Sequence, residues 1–482
     1  MTGRRFPRVA SLRNGAGVRA HLETLGCPLP CDDDILPAPV SPLAEPLSLG
    51  SVGPTLANRF VMQPMEGWDG TTDGRPSDLT RRRWQRFGTS GAAWIWGGEA
   101  VAVVPEGRAN PNQLVINEDT VGEIGELRRL LIDAAHQTGG PTPFVGLQLT
   151  HSGRWCRPDT HGFAPHLAYR HPMLDRRAGK PGDEAVMSDG EIEVLIEHFA
   201  RAALLAAEAG FAFVDIKHCH GYLLHEFLSA RARPGTYGGP SLAERTRLLF
   251  AVVDAVRRAA PEIAIAVRLS AFDVVPFRAG PGTDEPGPGE PEPHPLPYTF
   301  GFGLDMDAPL QVDLTEPIEL VRQLMQTGIT WVNITGSSPY YAAHTQRPAA
   351  IPPTDGYPPP EDPLVGVARL LCAARDVKQA VPEAIVVSTG WTYLQDFLPL
   401  IAQACVREGW FDAVGLGRMA LSYPDLPADV LAGRKPDRKR ICRTFSDCTT
   451  GPRNGLVSGC YPLDPFYKAR PERRLVEQAK RT

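Results

Sequence analysis

Eight short apolar runs punctuate the chain, and each leads into a segment of helical periodicity. They are Arg59–Pro64 (RFVMQP), Ala92–Gly98 (AAWIWGG), Phe144–Leu149 (FVGLQL), Phe213–His218 (FVDIKH), Ile263–Ser270 (IAIAVRLS), Ile329–Thr335 (ITWVNIT), Ala384–Thr389 (AIVVST) and Asp412–Gly417 (DAVGLG). Continuous apolar runs of this length suit strands buried on both faces, as in parallel sheets. The intervening segments supply the crossovers that parallel strands need. Ile192, Leu195, Ile196, Phe199 and Ala203 keep helical spacing, with Asp189 at the cap position. Ser241 and Glu244 form a capping-box pattern ahead of Leu248, Leu249, Val252, Val253 and Val256. Glu316–Thr327, Leu364–Gln379 and Leu394–Glu408 read as helices in the same way. The alternation predicts an α/β fold, a (β/α)8 barrel. The rival is an open doubly wound sheet, and the absence of GxGxxG after the first strand weighs against it.

Three segments fall outside the repeat, so the expected organisation is an arm (1–45), a barrel (46–431) and a tail (432–482). The barrel carries a Pro/Gly/acid-rich insertion at 276–312, after strand five, and the tail bears cysteines. The insertion sits on the face that holds barrel active sites, where it reads as a lid or as a spacer. The chain's 48 prolines, about twice the usual ~5%, predict long ordered loops. A net charge of −5 argues against a nucleic-acid or anionic-membrane partner. No run of ~18 apolar residues is present to span a membrane. The N-terminal MTGRRFPRVASLRNG lacks the apolar core of a secretory signal. Nine irregularly spaced cysteines fit a reducing compartment, so a cytoplasmic location is expected.

Polar residues gather where the strands end. Strand one runs into Glu66 and Trp68. Strand three contains Gln148 and is followed by His151 and Arg154. Strand four ends in Lys217, His218, His220 and Tyr222, and strand five carries Arg268. A buried Arg or Gln inside a barrel strand costs several kcal/mol unless it is paired, so an internal polar ligand explains them economically. Glycines close strands seven and eight (Ser388-Thr389-Gly390 and Gly415-Leu416-Gly417-Arg418). They let backbone N–H groups approach a phosphate that Arg418 would neutralise.

These pieces resemble the Old Yellow Enzyme family of FMN-dependent NADH:flavin oxidoreductases. The resemblance rests on NRFVMQPM (Asn58–Met65), GLQLTHSGR (Gly146–Arg154), HGYLLHEFLS (His220–Ser229) with its trailing YGG and LAERTR, AVRLS (Ala266–Ser270) and VGLGR (Val414–Arg418). It covers roughly residues 46–430, and the layout is similar to the barrel domain of 2,4-dienoyl-CoA reductase and trimethylamine dehydrogenase. It implies FMN as cofactor, NADH or NADPH as reductant and a small-molecule substrate with an activated C=C bond. By the same resemblance Pro64, Met65, Glu66, Ala100 and Gln148 line the flavin ring, with Arg268 near its N1–C2=O edge. Gly390, Trp391, Gly417 and Arg418 hold its phosphate. Lys217 and His220 bind the substrate's activating oxygen, and Tyr222 supplies a proton. Homo-oligomers are common in the family.

The chain departs from the family pattern at two pocket positions. Lys217 stands where the family usually has histidine, and Glu66 where many relatives carry Thr or Cys. A lysine favours an anionic or strongly polarised acceptor. In the tail, Cys442, Cys448 and Cys460 resemble positions of a four-cysteine cluster motif, but Phe445 stands where its second cysteine is expected. A [4Fe–4S] cluster takes four thiolates, so none is expected. His218 falls on the opposite strand face from Lys217 and His225 on the following helix, so both read as structural. Zinc held by these histidines lacks a third ligand at an obvious spacing, so no metal site is assigned. Two further readings stay open: an oxidative flavoenzyme such as an amine dehydrogenase or demethylase, and a flavin-binding protein without ene-reductase activity.

Overall fold

Eight parallel strands close on themselves. In the computed structural model, which describes residues 6–282 and 286–481, they are β1 (Phe60–Met62), β2 (Trp94–Ile95), β3 (Phe144–Thr150), β4 (Phe213–His218), β5 (Ala264–Ser270), β6 (Trp331–Thr335), β7 (Ile385–Ser388) and β8 (Ala413–Leu416). Each pairs with the next, and β8 pairs with β1. The expected (β/α)8 barrel is what forms. A short strand, Ala100–Ala102, continues the line of β2 against β3. Parts of three sequence expectations lie outside the described residues: the first five of the arm, 283–285 of the insertion and the last residue of the tail.

Helices α1 (Asp78–Gly88), α2 (Val121–Gln137), α3 (Asp189–Glu208), α4 (Leu242–Ala259), α5 (Thr315–Gln326), α6 (Pro363–Ala380) and α7 (Leu398–Arg407) follow β1 to β7. Two details differ from the sequence reading. Ser188, not Asp189, caps α3: its Oγ accepts from Glu191 N, and Glu191 Oε2 accepts from Ser188 N. Asp189, one residue inside, instead accepts from Thr236 N at 2.6 Å and from Arg233. The α-helix α7 also starts later than Leu394, because Trp391–Phe397 is a tighter turn kinked at Gln395. Pro399 then sits in the first turn of α7, where its missing N–H has no cost. Among the described residues, no helix is long and apolar enough to cross a membrane.

Side-chain alternation along the strands decides what the barrel contains. Phe213 packs inside it, while Val214 and Ile216 pack outward with the helix-facing core. Period-2 alternation therefore turns Asp215 and Lys217 inward and His218 outward. At the N-terminal end Trp94, Trp96, Phe144, Phe213 and Trp331 fill the interior, with ring centroids as close as 4.9 Å. The Leu47–Ser48/Thr55–Leu56 hairpin seals this end, and Trp331 Nε1 donates to Leu49 O at 3.0 Å. Any ligand space is thereby left at the C-terminal end.

The insertion forms a hairpin, Phe277–Gly280 with Gly287–Pro291. Among its described residues none lines the cavity described below. It buttresses instead: Arg177 pairs with Glu292 and donates to Phe277 O (2.6 Å) and Tyr340 O (3.1 Å). The tail folds across the barrel mouth. Trp68 N donates to Ser458 Oγ at 3.3 Å, Ser446 Oγ to Ile351 O at 2.6 Å, and Arg347 bonds Thr449.

Candidate active site

A cavity of about 260 Å³ opens at the C-terminal ends of the strands. Its inner wall is polar, and the polarity is organised around one carboxylate. Asp215 accepts from Gln148 Nε2 at 2.5 Å and from Arg268 N at 2.7 Å. Burial pushes its carboxyl up to about 6. Gln148, Asp215 and the β5 residues stand side by side in register, since Gln148 pairs with Asp215 and Lys217 with Arg268. Arg268 donates to Pro64 O at 3.3 Å, and its Nε is buried without a partner. Across the barrel, Gln63 and Asn333 exchange amide hydrogen bonds of 2.8 and 3.2 Å. Gly415 makes room for this pair, because a Cβ there would stand 1.9 Å from Gln63 Nε2.

Lys217, His220, Tyr222 and Glu66 meet at one place on this wall. Lys217 Nζ lies 3.7 Å from the centre of the Tyr222 ring. Among the described residues it has no ion-pair or hydrogen-bond partner, although only 5% of the residue is exposed. Burial holds its amine below the usual lysine range, partly offset by Glu66. His220 takes a left-handed conformation (φ 67°), which a bond from its N–H to Ser270 Oγ (3.0 Å) holds in place. Gln346 Nε2 donates to His220 Nε2 at 3.1 Å, and Thr335 Oγ1 stands 3.3 Å away. Burial, Arg268 and Lys217 keep the imidazole well below its ordinary pKa, so it is neutral. The Tyr222 hydroxyl bonds Glu66 Oε2 and stands 3.0 Å from the Tyr340 hydroxyl. Burial first, then the Glu66 charge, raise the Tyr222 phenol well above its ordinary value. Glu66 Oε1 has no partner. Lys217 and Glu66, the two departures from the family pattern, thus share Tyr222 without forming an ion pair.

The opposite end of the cavity is built from the ends of β7 and β8. Gly390 adopts φ 100°, open to glycine without penalty. Gly417 has no atom within 4 Å of a built Cβ. The Trp391 indole is turned into the core, with Nε1 donating to Ser388 Oγ at 3.1 Å, so the cavity meets its main chain. Arg418 lines this end, and so does Arg347, which the sequence reading did not identify. Burial and the charges of Arg418 and Arg453 push Arg347 down to about 10, and its Nη2 is buried unpartnered. Glycine-flanked backbone, the Arg418 guanidinium and the orphaned Arg268 nitrogen fit a flat heteroaromatic ligand ending in a phosphate.

Several singled-out residues stand elsewhere. Ala100 pairs with Gln148 in the sheet, but it does not line the cavity, and its carbonyl accepts from Gln113 Nε2 at 2.9 Å. Arg154 is buried in ion pairs with Asp175 and Glu226, and His151 packs against His166. His225 accepts from Gly221 N at 2.8 Å and faces Asp273. Among the described residues, no three His, Cys, Asp or Glu gather to hold a metal ion. Sequence reasoning missed Asp215, Tyr340 and the tail's Arg453. Only Asp215 carried a signal, as the lone acid in an apolar strand.

Residues 42–281 match the model of the NADH:flavin oxidoreductase / NADH oxidase family, so the resemblance read from the motifs is borne out. An NADPH dehydrogenase of Halalkalibacterium halodurans is 33% identical over 211 residues, 42% of this chain and 57% of the relative. The chain thus matches little more than half the length of that relative. Among solved structures, a 2-naphthoyl-CoA reductase in complex with 2-naphthoyl-CoA superposes with a TM-score of 0.64 at 18% identity, covering 88% of this chain and 57% of that one. Morphinone reductase in complex with tetrahydroNAD gives 0.53 at 22%, covering 83% and 93%. At these identities the structures share the fold.

Proposed function

We propose that this chain is an FMN-dependent oxidoreductase that takes a hydride from NADH or NADPH and passes it to a C=C bond activated by a neighbouring carbonyl or thioester oxygen. The observation that carries the reading is the convergence of Gln148, Lys217 and Arg268, from three adjacent strands, on a cavity whose far end is glycine- and arginine-rich. The family match and the NADPH dehydrogenase relative support it. FMN, when bound, supplies the two-electron chemistry. Gln148, Arg268, Pro64 and Met65 would line its ring, and Gly390, Trp391, Gly417 and Arg418 would hold its phosphate.

The chain's own residues bind, polarise and protonate. Lys217, and His220 through Nδ1–H since its Nε2 accepts from Gln346, donate to the substrate's activating oxygen and stabilise negative charge as it develops there. Lys217 suits this role because its ammonium has no competing partner. Tyr222 keeps its proton at Oη across the physiological range, since its phenol is held above its ordinary value. It can deliver that proton to the α-carbon as general acid. Glu66 and Tyr340, both bonded to that hydroxyl, orient it. An amine-oxidising reading is disfavoured by the cations around the cavity, which would repel a protonated amine.

Because the His220 imidazole stays neutral, substrate-oxygen binding is expected to be flat between pH 6 and 8. A titration of enone affinity showing a step near the ordinary histidine value of ~6.5 that His220→Asn abolishes would reassign that ring, whereas a step near 6 that persists belongs to Asp215. The reading itself is tested by the absorbance spectrum before and after denaturing release of cofactor, followed by stopped flow. Flavin bands, bleaching by NADPH and recovery on adding 2-cyclohexenone support it. A protein that neither carries nor takes up FMN overturns it.

A further inference from the structure

We infer that the substrate itself is an acid, a carboxylate-bearing enone whose anionic group is gripped by Arg453 of the tail together with Arg347 of the loop after β6. The inference rests on the proposed alkene reduction and names its substrate class.

The argument starts from charge. Among the described residues seven cationic side chains line the cavity, against one carboxylate, Glu66. One of the seven, Arg83, is neutralised by Asp69 and Glu99. A flavin phosphate at Gly390 and Gly417 accounts for Arg418, and the ring edge accounts for Arg268. Lys217 is taken by the activating oxygen and Arg157 lies against the Trp68 ring at 5.9 Å, which leaves Arg347 and Arg453 beside each other. Arg347 has a buried, unpartnered Nη2 and is crowded by the Arg418 and Arg453 charges. Among the described residues Arg453 pairs only with Asp355, at 3.3 Å, a half-exposed carboxylate. Like charges held together at the edge of an enclosed space are costly unless an anion joins them.

Position separates this anion from the cofactor's phosphate. The Arg453 guanidinium lies 4.8 Å from the centre of the Tyr340 ring. The Tyr340 hydroxyl stands 3.0 Å from that of Tyr222, and its ring stacks on Trp155 at 4.5 Å. Arg453 is therefore one aromatic ring from the proton donor, on the substrate side of the cavity. Thr449, bonded to Arg347 and also on the cavity wall, offers a hydroxyl to the same group. The tail, whose thiols first drew attention, thus contributes the cation that reads the substrate.

The test compares 4-oxo-4-phenylbut-2-enoic acid with its methyl ester, titrated into the oxidised holoprotein, where no turnover occurs. Binding is followed by flavin absorbance and by tryptophan fluorescence. The acid is expected to bind about tenfold or more tighter than the ester, the scale of a charge-assisted hydrogen-bonded pair. In Arg453→Gln that ratio should fall towards one, with partial recovery in Arg453→Lys and Arg347→Gln intermediate. Asp355→Asn, which frees Arg453, should raise it. Flavin content and circular dichroism of each variant separate a lost grip from a lost fold, and the Asp355→Asn gain tests the grip without weakening it. Equal affinities for acid and ester in the unmodified protein, or a ratio that survives both arginine variants, overturn the inference. So does an Arg453→Gln variant that loses affinity for NADPH while keeping the ratio, because the anion would then be a dinucleotide phosphate. Failure of alkene reduction would appear instead as the absence of NADPH bleaching or enone recovery, whatever the acid-to-ester ratio.

Discussion

Tyr222→Phe is expected to slow alkene reduction by about 10²–10⁴-fold, the usual worth of a positioned general acid. The substitution removes one oxygen and keeps the ring, so the contact of Lys217 Nζ with the aromatic face is preserved. What is lost is the proton donor bonded to Glu66 and Tyr340. Glu66 Oε2 then loses its donor and the Tyr340 hydroxyl the oxygen it donates to, at about 1–3 kcal/mol of stability, well short of unfolding a chain of this size. The loss should fall on the oxidative half-reaction, where the substrate gains a proton. Stopped flow separates that half from reduction by NADPH. Undiminished flavin recovery by the enone in a fully loaded Tyr222→Phe protein would remove Tyr222 from the proton step and point to Tyr340, the other hydroxyl in reach.

The barrel was legible because its strands are buried on both faces and announce themselves as apolar runs. Inward and outward positions were legible for the same reason, since Phe-Val-Asp-Ile-Lys-His alternates and Lys217 falls on the side of Phe213. Loop residues were not legible. Tyr340, Arg347 and Arg453 reach the site from more than a hundred positions along the chain from Tyr222, and no periodicity ties them to it. Ala100 stands off the cavity wall because β2 breaks at Trp96–Glu99 before resuming, so the motif carried the residue's sheet position but not its exposure to the cavity. In the tail, the spacing of Cys442, Cys448 and Cys460 suggested a metal loop, whereas Ser458 and Arg453 make the contacts. A cysteine pattern is visible in a sequence; a guanidinium lying over a distant tyrosine is not.

Asp215 gives the second large effect, and it acts on the frame that positions the ligand. Asp215→Ala should cost about 3–5 kcal/mol of stability and most of the bound flavin, because it strands the Gln148 amide and the Arg268 N–H and takes a nearby negative charge from the buried Arg268 guanidinium. The sign of its pH dependence follows from the folded-state value of about 6, above the ordinary carboxylate value. The folded protein holds this proton more tightly than the unfolded chain. The contribution of Asp215 is therefore complete at low pH and falls as pH rises through about 6. Denaturant unfolding at pH 4.5 and 7.5 should show a gap between the unmodified protein and Asp215→Ala that narrows at the higher pH. A gap that widened instead would mean that Asp215 is held as a carboxylate by Arg268, with charge pairing outweighing burial. The strand would then present a fixed anion beneath the flavin edge in place of a proton-sharing hub.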